Sequence, residues 1–210
     1  DKRIAGKSEE DMFRSVGLPY IPPELRENRG ELEAAHAGLL PELVQPGDLR
    51  GDLHAHTRAT DGHESIPAMA EAAKAHGLEY LAITDHSKRL TVAHGLDSKR
   101  VLSQIESIEA FNAGGAGITL LTGIEVDILE DGSLDLPDEI LSRLEVVIGA
   151  VHSRFDLPRA KQTRRILRGM DHPHFTFFAH PFGRLINERE PIQVDMMQVI
   201  QKARERGCFL

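Results

Sequence analysis

A chain of 210 residues suits one domain with a short leader, and none of its apolar runs approaches the ~18–20 residues that a membrane span needs. A formal net charge of −8 argues against a general DNA-coating protein, and the single cysteine, Cys208, allows no internal disulfide and points to a reducing cytoplasm. The charge is uneven, with 14 Lys/Arg against 27 Asp/Glu in residues 1–153 and 11 against 6 in residues 154–210.

The first residues, DKRIAGKSEEDMFRS, are polar and hold no signal-peptide core. SEEDMFRSVG predicts a short helix with Ser8 as N-cap, Asp11 closing a capping box and Gly17 as its stop. LPYIPPEL is too interrupted by proline for a central strand or a helix. GELEAAHAGLLPEL predicts a weak helix with a proline break, and VQPGD a turn. Residues 1–48 therefore read as a leader or inter-domain connection, and 49–210 as the domain proper.

From Leu49 short apolar strands alternate with helices. The strands are LRGDLHAH, LEYLAITDH, GITLLTGIEVDI, EVVIGAVHS and FTFFAHPFG, with a sixth beginning at CFL. Between them lie a helix from Ser65 to Gly77, a long amphipathic one capped by Asp97, LPDEILSRL, LPRAKQTRRILRG and IQVDMMQVIQKARERG. Such alternation predicts βα units around a parallel sheet. Because the chain stops as the sixth strand begins, it is expected to be a piece of a longer protein, with an α/β barrel truncated before its last strand.

Polar residues fall where these strands end. The first ends at His54 and His56, the second at Asp85 and His86, the third at Glu125, the fourth at His152 and the fifth at His180. In a parallel barrel the carboxyl ends of the strands converge on one face, so these residues are expected to meet. His54 and His56, at i and i+2 of extended chain, point the same way, and Asp61 follows in a turn. Mixed nitrogen and oxygen donors without a thiolate suit zinc, manganese or iron, and their number exceeds what one tetrahedral ion needs. Any one of these residues taken alone has a bland reading as a surface or core side chain. Asp85 is expected to orient a histidine, and Asp127 to be structural, with ligation as its alternative. His94 is placed at the mouth of the site, and His36, His63, His76, His172 and His174 mostly in solvent. The basic stretch Arg154, Arg159, Lys161, Arg164, Arg165 and Arg168 reads either as a phosphate-following patch or as a solvated helix face.

DLHAHTRATDG, ITDH, GIE, AVHS and AHP, in that order, resemble the first five motifs of the PHP superfamily, the polymerase and histidinol phosphatase metallo-phosphoesterases. The resemblance covers residues 49–210 and implies a distorted (βα)7-type barrel with a trinuclear site. By carry-over the ligands are His54, His56, Asp61, His86, Glu125, His152 and His180, with His54, His56, Glu125 and His180 also assigned to catalysis. It implies two or three divalent ions, Mn2+ favoured for activity and Zn2+ or Fe2+ as alternatives. GLPYIPPELRENRGELEAA and HPFGRLI resemble bacterial family X DNA polymerases, in which this segment joins the polymerase core to the PHP domain.

That resemblance implies a 3′–5′ exonuclease or DNA-repair nuclease acting on single-stranded or gapped 3′ ends, beside a polymerase core in the same parent chain. Arg154 and Arg184 are then candidates for gripping substrate phosphates. The family ends with a further Asp-x-His motif on a last strand, which supplies two more ligands, and this chain is expected to stop before that strand. Two other classes fit the same motifs: a small-molecule phosphatase of the histidinol phosphate type, and a non-catalytic PHP domain that supports a polymerase.

Overall fold

The computed structural model describes residues 5–210, in which the chain divides into two compact units between Asp48 and Leu49. In the first, helix α1 spans Glu9–Ser15, and the Ser8 side chain accepts from Asp11 N. The reciprocal half of the box is altered, since the Asp11 carboxylate accepts from Gly6 N and Lys7 N. Helix α2, Glu31–Ala37, stops earlier than the proline break expected from the sequence, because Gly38 turns left-handed at φ 67°. Arg26 ties this unit together, paired with Glu9 at 2.9 Å and lying over the Phe13 ring.

The second unit alternates strands and helices: β1 Gly51–Ala55, α3 Ile66–Ala75, β2 Tyr80–Ile83, α4 Ser98–Ala113, β3 Thr119–Asp127, α5 Asp138–Leu141, β4 Val146–Ala150, α6 Arg159–Met170, β5 Phe177–Phe178 and α7 Met196–Arg206. The expected caps are in place, with Ser65 Oγ accepting from Ala68 N and Asp97 accepting from Arg100 N. All pairings are parallel, in the order β1-β2-β3-β4-β5. Strands that neighbour one another in chain order, with no reversal, make an open section of a βα barrel rather than a doubly wound sheet.

The curl comes from β3, the longest strand. Its first half, Thr119–Thr122, pairs with β2, and its second half, Gly123–Asp127, pairs with β4. This stagger is what closing a sheet toward a barrel requires. The handover falls at Gly123, where a Cβ would sit 2.8 Å from Thr84 Cγ2 and 3.0 Å from Ile83 O, so a side chain would force the strands apart. Burial holds the curl. Ile124, Val126 and Val147 pack with Val101 and Ile105 of α4 and are at most 2% exposed. Fully burying each such side chain contributes about 1.5–3 kcal/mol. The sixth strand expected at Cys208–Leu210 is reduced to a single parallel bridge, Phe177 with Phe209.

Candidate metal centre

Strand β3 carries Glu125 into the middle of the carboxyl-end face. Beyond the end of β2 the chain keeps pairing with it, Glu125 N donating to Asp85 O and Ser87 N to Glu125 O, so His86 lies beside Glu125. The flanking strands deliver the other side chains. Glu125 Oε2 meets His54 Nε2 at 3.2 Å, His56 Nε2 at 3.4 Å and His86 Nδ1 at 3.1 Å. Glu125 Oε1 meets His180 Nε2 at 2.8 Å and His152 Nε2 at 3.3 Å. One carboxylate thus divides five histidines into a group of three and a group of two. Asp61 joins from the loop after β1, 3.2 Å from His86 Nε2 and 3.6 Å from His56 Nδ1.

Glu125 is 2% exposed. Burial alone would push its carboxyl up, but hydrogen bonds from His152, His180 and His54 outweigh that and hold it well below the usual carboxylate range. Burial pushes His56 below the ordinary imidazole value, and His86 adds to the effect. At His152 burial works the same way, yet Asp127 and Glu125 prevail and raise the imidazole to about 9. Its Nδ1 faces Asp127 Oδ1 at 3.5 Å.

Donor chemistry and geometry both fit divalent ions. Three overlapping groups each place one donor atom per residue within 4.8 Å of the others: His54, His56 and Glu125; His56, Asp61 and His86; His86, Glu125 and His152. His56 Nδ1, His86 Nδ1 and His152 Nδ1 are buried without a hydrogen-bond partner, as is Asp127 Oδ1. Buried polar atoms are nearly always paired, so imidazole nitrogens left over in a cluster of oxygen donors point to a cation.

Several expectations are corrected. The Asp85 carboxylate has no hydrogen bond to a histidine among the described residues. Its carboxylate accepts from Thr57 N and Thr57 Oγ1, both at 2.7 Å, and from Thr60 Oγ1 and Gln104 Nε2, which pins the loop that carries Asp61. That loop closes at Gly62, where a Cβ would lie 2.3 Å from His56 O. Asp127 faces His152, so whatever structural part it plays lies at the site itself. The basic stretch is no continuous patch. Arg165 is 2% exposed and donates to the carbonyls of Ile128, Leu129 and Ser153. Arg154 pairs with Glu130 at 2.9 Å and Asp156 at 3.6 Å, Arg159 with Asp195, and Arg168 with Asp131. Arg154 is not among the clustered donors, and its guanidinium lies half exposed at the surface beside those two carboxylates. Arg184 is exposed, four residues beyond His180. His94 is exposed, its N–H donating to Thr91 O and its carbonyl accepting from Arg100. His172 is half-buried and bonded to Asp138.

Thr57, Thr60 and Gln104 had no place in the sequence reading. Gln104 had a signal: it lies on the same helical stripe as Val101, Ile105 and Ile108, all buried. A polar side chain on such a stripe needs a buried partner.

An open parallel βα barrel with a nitrogen–oxygen ligand cluster at its strand ends defines a metallohydrolase type of site. The chain belongs to the PHP-domain family, which matches residues 52–181, and residues 1–27 match the DNA polymerase beta thumb. The DNA polymerase/3′-5′ exonuclease PolX of Bacillus subtilis is 41% identical over 203 residues, 97% of this chain. A probable phosphatase of Acetivibrio thermocellus is 29% identical over 76% of this chain. The chain spans 35% of the length of the Bacillus protein and 63% of that of the Acetivibrio protein. Among solved structures, histidinol phosphate phosphatase from Lactococcus lactis, complexed with zinc, L-histidinol and phosphate, is 20% identical, with a TM-score of 0.39, over 62% of this chain and 57% of that one. No helix among the described residues is long and apolar enough to cross a membrane.

Proposed function

We propose that this chain hydrolyses phosphodiesters at the 3′ ends of DNA, as a metal-dependent 3′–5′ exonuclease in a family X polymerase setting. The observation that carries the reading is Glu125, central to the cluster, with three histidines on one oxygen and two on the other. His54, His56, Asp61, His86, Glu125, His152 and His180 would hold two or three divalent ions, with Mn2+ favoured for activity and Zn2+ or Fe2+ as alternatives. Such ions supply charge to phosphate oxygens and acidify a water molecule for in-line attack.

The chain's own residues set the conditions for that chemistry. Glu125 stays a carboxylate at every working pH because its histidine partners outweigh its burial. Asp127 fixes the ring of His152. Asp85 holds the Asp61 loop against α4 through Thr57, Thr60 and Gln104. The resemblance to the Bacillus polymerase/exonuclease along 97% of this chain supports DNA as the substrate, and the thumb match at residues 1–27 supports a polymerase setting.

The test is manganese-dependent shortening of a 5′-labelled single-stranded DNA by the complete gene product, beside a His54→Ala/His56→Ala control. Shortening that the double variant loses supports the reading. A folded, metal-binding protein that leaves DNA intact refutes it. The second reading is a small-molecule phosphatase, which the similarity to the Acetivibrio probable phosphatase favours. It predicts phosphate release from histidinol phosphate with no action on DNA.

A further inference from the structure

Directly after the cluster residue His180 the chain turns back on itself. His180 has φ 31°, and Gly183 N donates back to its carbonyl at 2.8 Å, so the backbone turns sharply at the cluster. The loop that follows is fixed from both sides. Leu185 and Arg189 exchange backbone hydrogen bonds at 3.0 and 2.9 Å, and Ile192 N donates to Phe182 O at 2.9 Å. Arg189 Nε donates to Gly183 O, while its guanidinium lies 3.9 Å from the centre of the Phe155 ring.

This tethered loop exposes Phe182 by 48%, Leu185 by 46% and Ile186 by 75%. Arg184 lies among them, exposed and without a carboxylate partner among the described residues. Large apolar side chains held out to solvent beside a ligand cluster mark a binding surface. Three side chains from one loop are too few for a stable interface between two copies, which buries ~1,200 Å² or more. A flat ring with a neighbouring cation is what a single nucleic-acid strand uses, base on ring and phosphate on cation.

We infer that the 182–186 loop is a nucleobase platform, on which Phe182, flanked by Leu185 and Ile186, stacks with the base of the nucleotide whose phosphate reaches the Glu125 cluster while Arg184 takes an adjacent phosphate. The inference rests on the DNA reading above and deepens it, since it makes the loop the device that selects a nucleotide end over a small phosphoester.

The test compares two 5′-labelled single strands, one with an ordinary 3′-terminal nucleotide and one ending in a tetrahydrofuran abasic analogue, incubated with the complete gene product and Mn2+. The unaltered protein removes the base-bearing end faster, by on the order of tenfold. In Phe182→Ala that ratio falls to about one, and Phe182→Tyr restores it. A binding readout needs no turnover: 2-aminopurine at the 3′ end is quenched on binding the unaltered protein and less so on binding Phe182→Ala. Equal rates on both ends for the unaltered protein overturn the platform, and so does a Phe182→Ala variant that keeps the full preference. A variant that alters oligomeric state but not base preference overturns it in favour of a second copy on the loop. If a metal-loaded, unaltered protein shortens neither strand, the exonuclease reading itself fails and the platform falls with it.

Discussion

Asp127 Oδ1 lies 3.5 Å from His152 Nδ1, and both atoms are buried with no other partner. The ring is thereby turned so that its Nε2 faces Glu125 Oε1 at 3.3 Å. Carboxylates behind metal-binding histidines typically contribute 10–100-fold in metal affinity. Asp127→Asn keeps the shape and removes the charge. We expect it to weaken manganese binding by about tenfold or more, read by competition with a chelating dye. The unfolding midpoint of the chelator-treated protein should move little by comparison.

The same pair predicts a pH dependence. His152 is raised to about 9, above its ordinary value of 6.5, because Asp127 and Glu125 outweigh burial. A raised imidazole stabilises the fold fully below 6.5, and that contribution is lost as pH rises through 9. Ligation has the opposite sign, since an imidazole must shed its proton to bind a cation. Chelator-treated protein should therefore lose stability between pH 6.5 and 9, while apparent manganese affinity rises over that interval. Calorimetry in buffers of different ionisation enthalpy should register proton release on binding. Affinity that stays flat with pH would contradict this.

Much of this architecture was legible in the sequence. Alternating apolar strands and capped helices announced a parallel βα fold, and metal-type side chains at five successive strand ends announced where they would meet. Those signals are local: i and i+2 in a strand, a cap at a helix start. What stayed hidden depends on partners far along the chain. Asp85 sits in the second-strand motif beside His86, which suggested a histidine partner, yet its donors come from Thr57 and Thr60 before it and Gln104 after it. The strand expected at Cys208–Leu210 has β-forming residues, but only Phe209 finds a partner in register, Phe177.

Asp85 supplies the next prediction. Its carboxylate is fully buried and satisfies three groups on the Asp61 loop and one on α4. Asp85→Ala leaves those donors unpaired in the interior, at about 1–3 kcal/mol for each one that stays buried. The loop is then expected to detach, taking Asp61 away from His56 and His86. Metal content measured by inductively coupled plasma mass spectrometry should fall by one ion per chain relative to the unaltered protein. Retention of the full complement would show that Asp61 holds its place without Asp85.

Arg165 gives the last, and it separates charge from position. Residues 154–168 look uniformly basic, but α6 turns Arg164 to solvent and Arg165 inward beside Gln162 and Ile166. Arg165 donates to the carbonyls of Ile128 and Ser153, the residues directly after Asp127 and His152. It thus clamps together the two strand ends that form the carboxylate–histidine pair. Arg165→Met fills similar space but leaves those carbonyls without a donor, at a cost of about 3 kcal/mol. Arg164→Ala should stay within about 0.5 kcal/mol of the unaltered protein. Urea unfolding of the two variants reads the difference. Manganese affinity should fall with Arg165→Met, because Asp127 and His152 lose their common anchor, and should hold with Arg164→Ala.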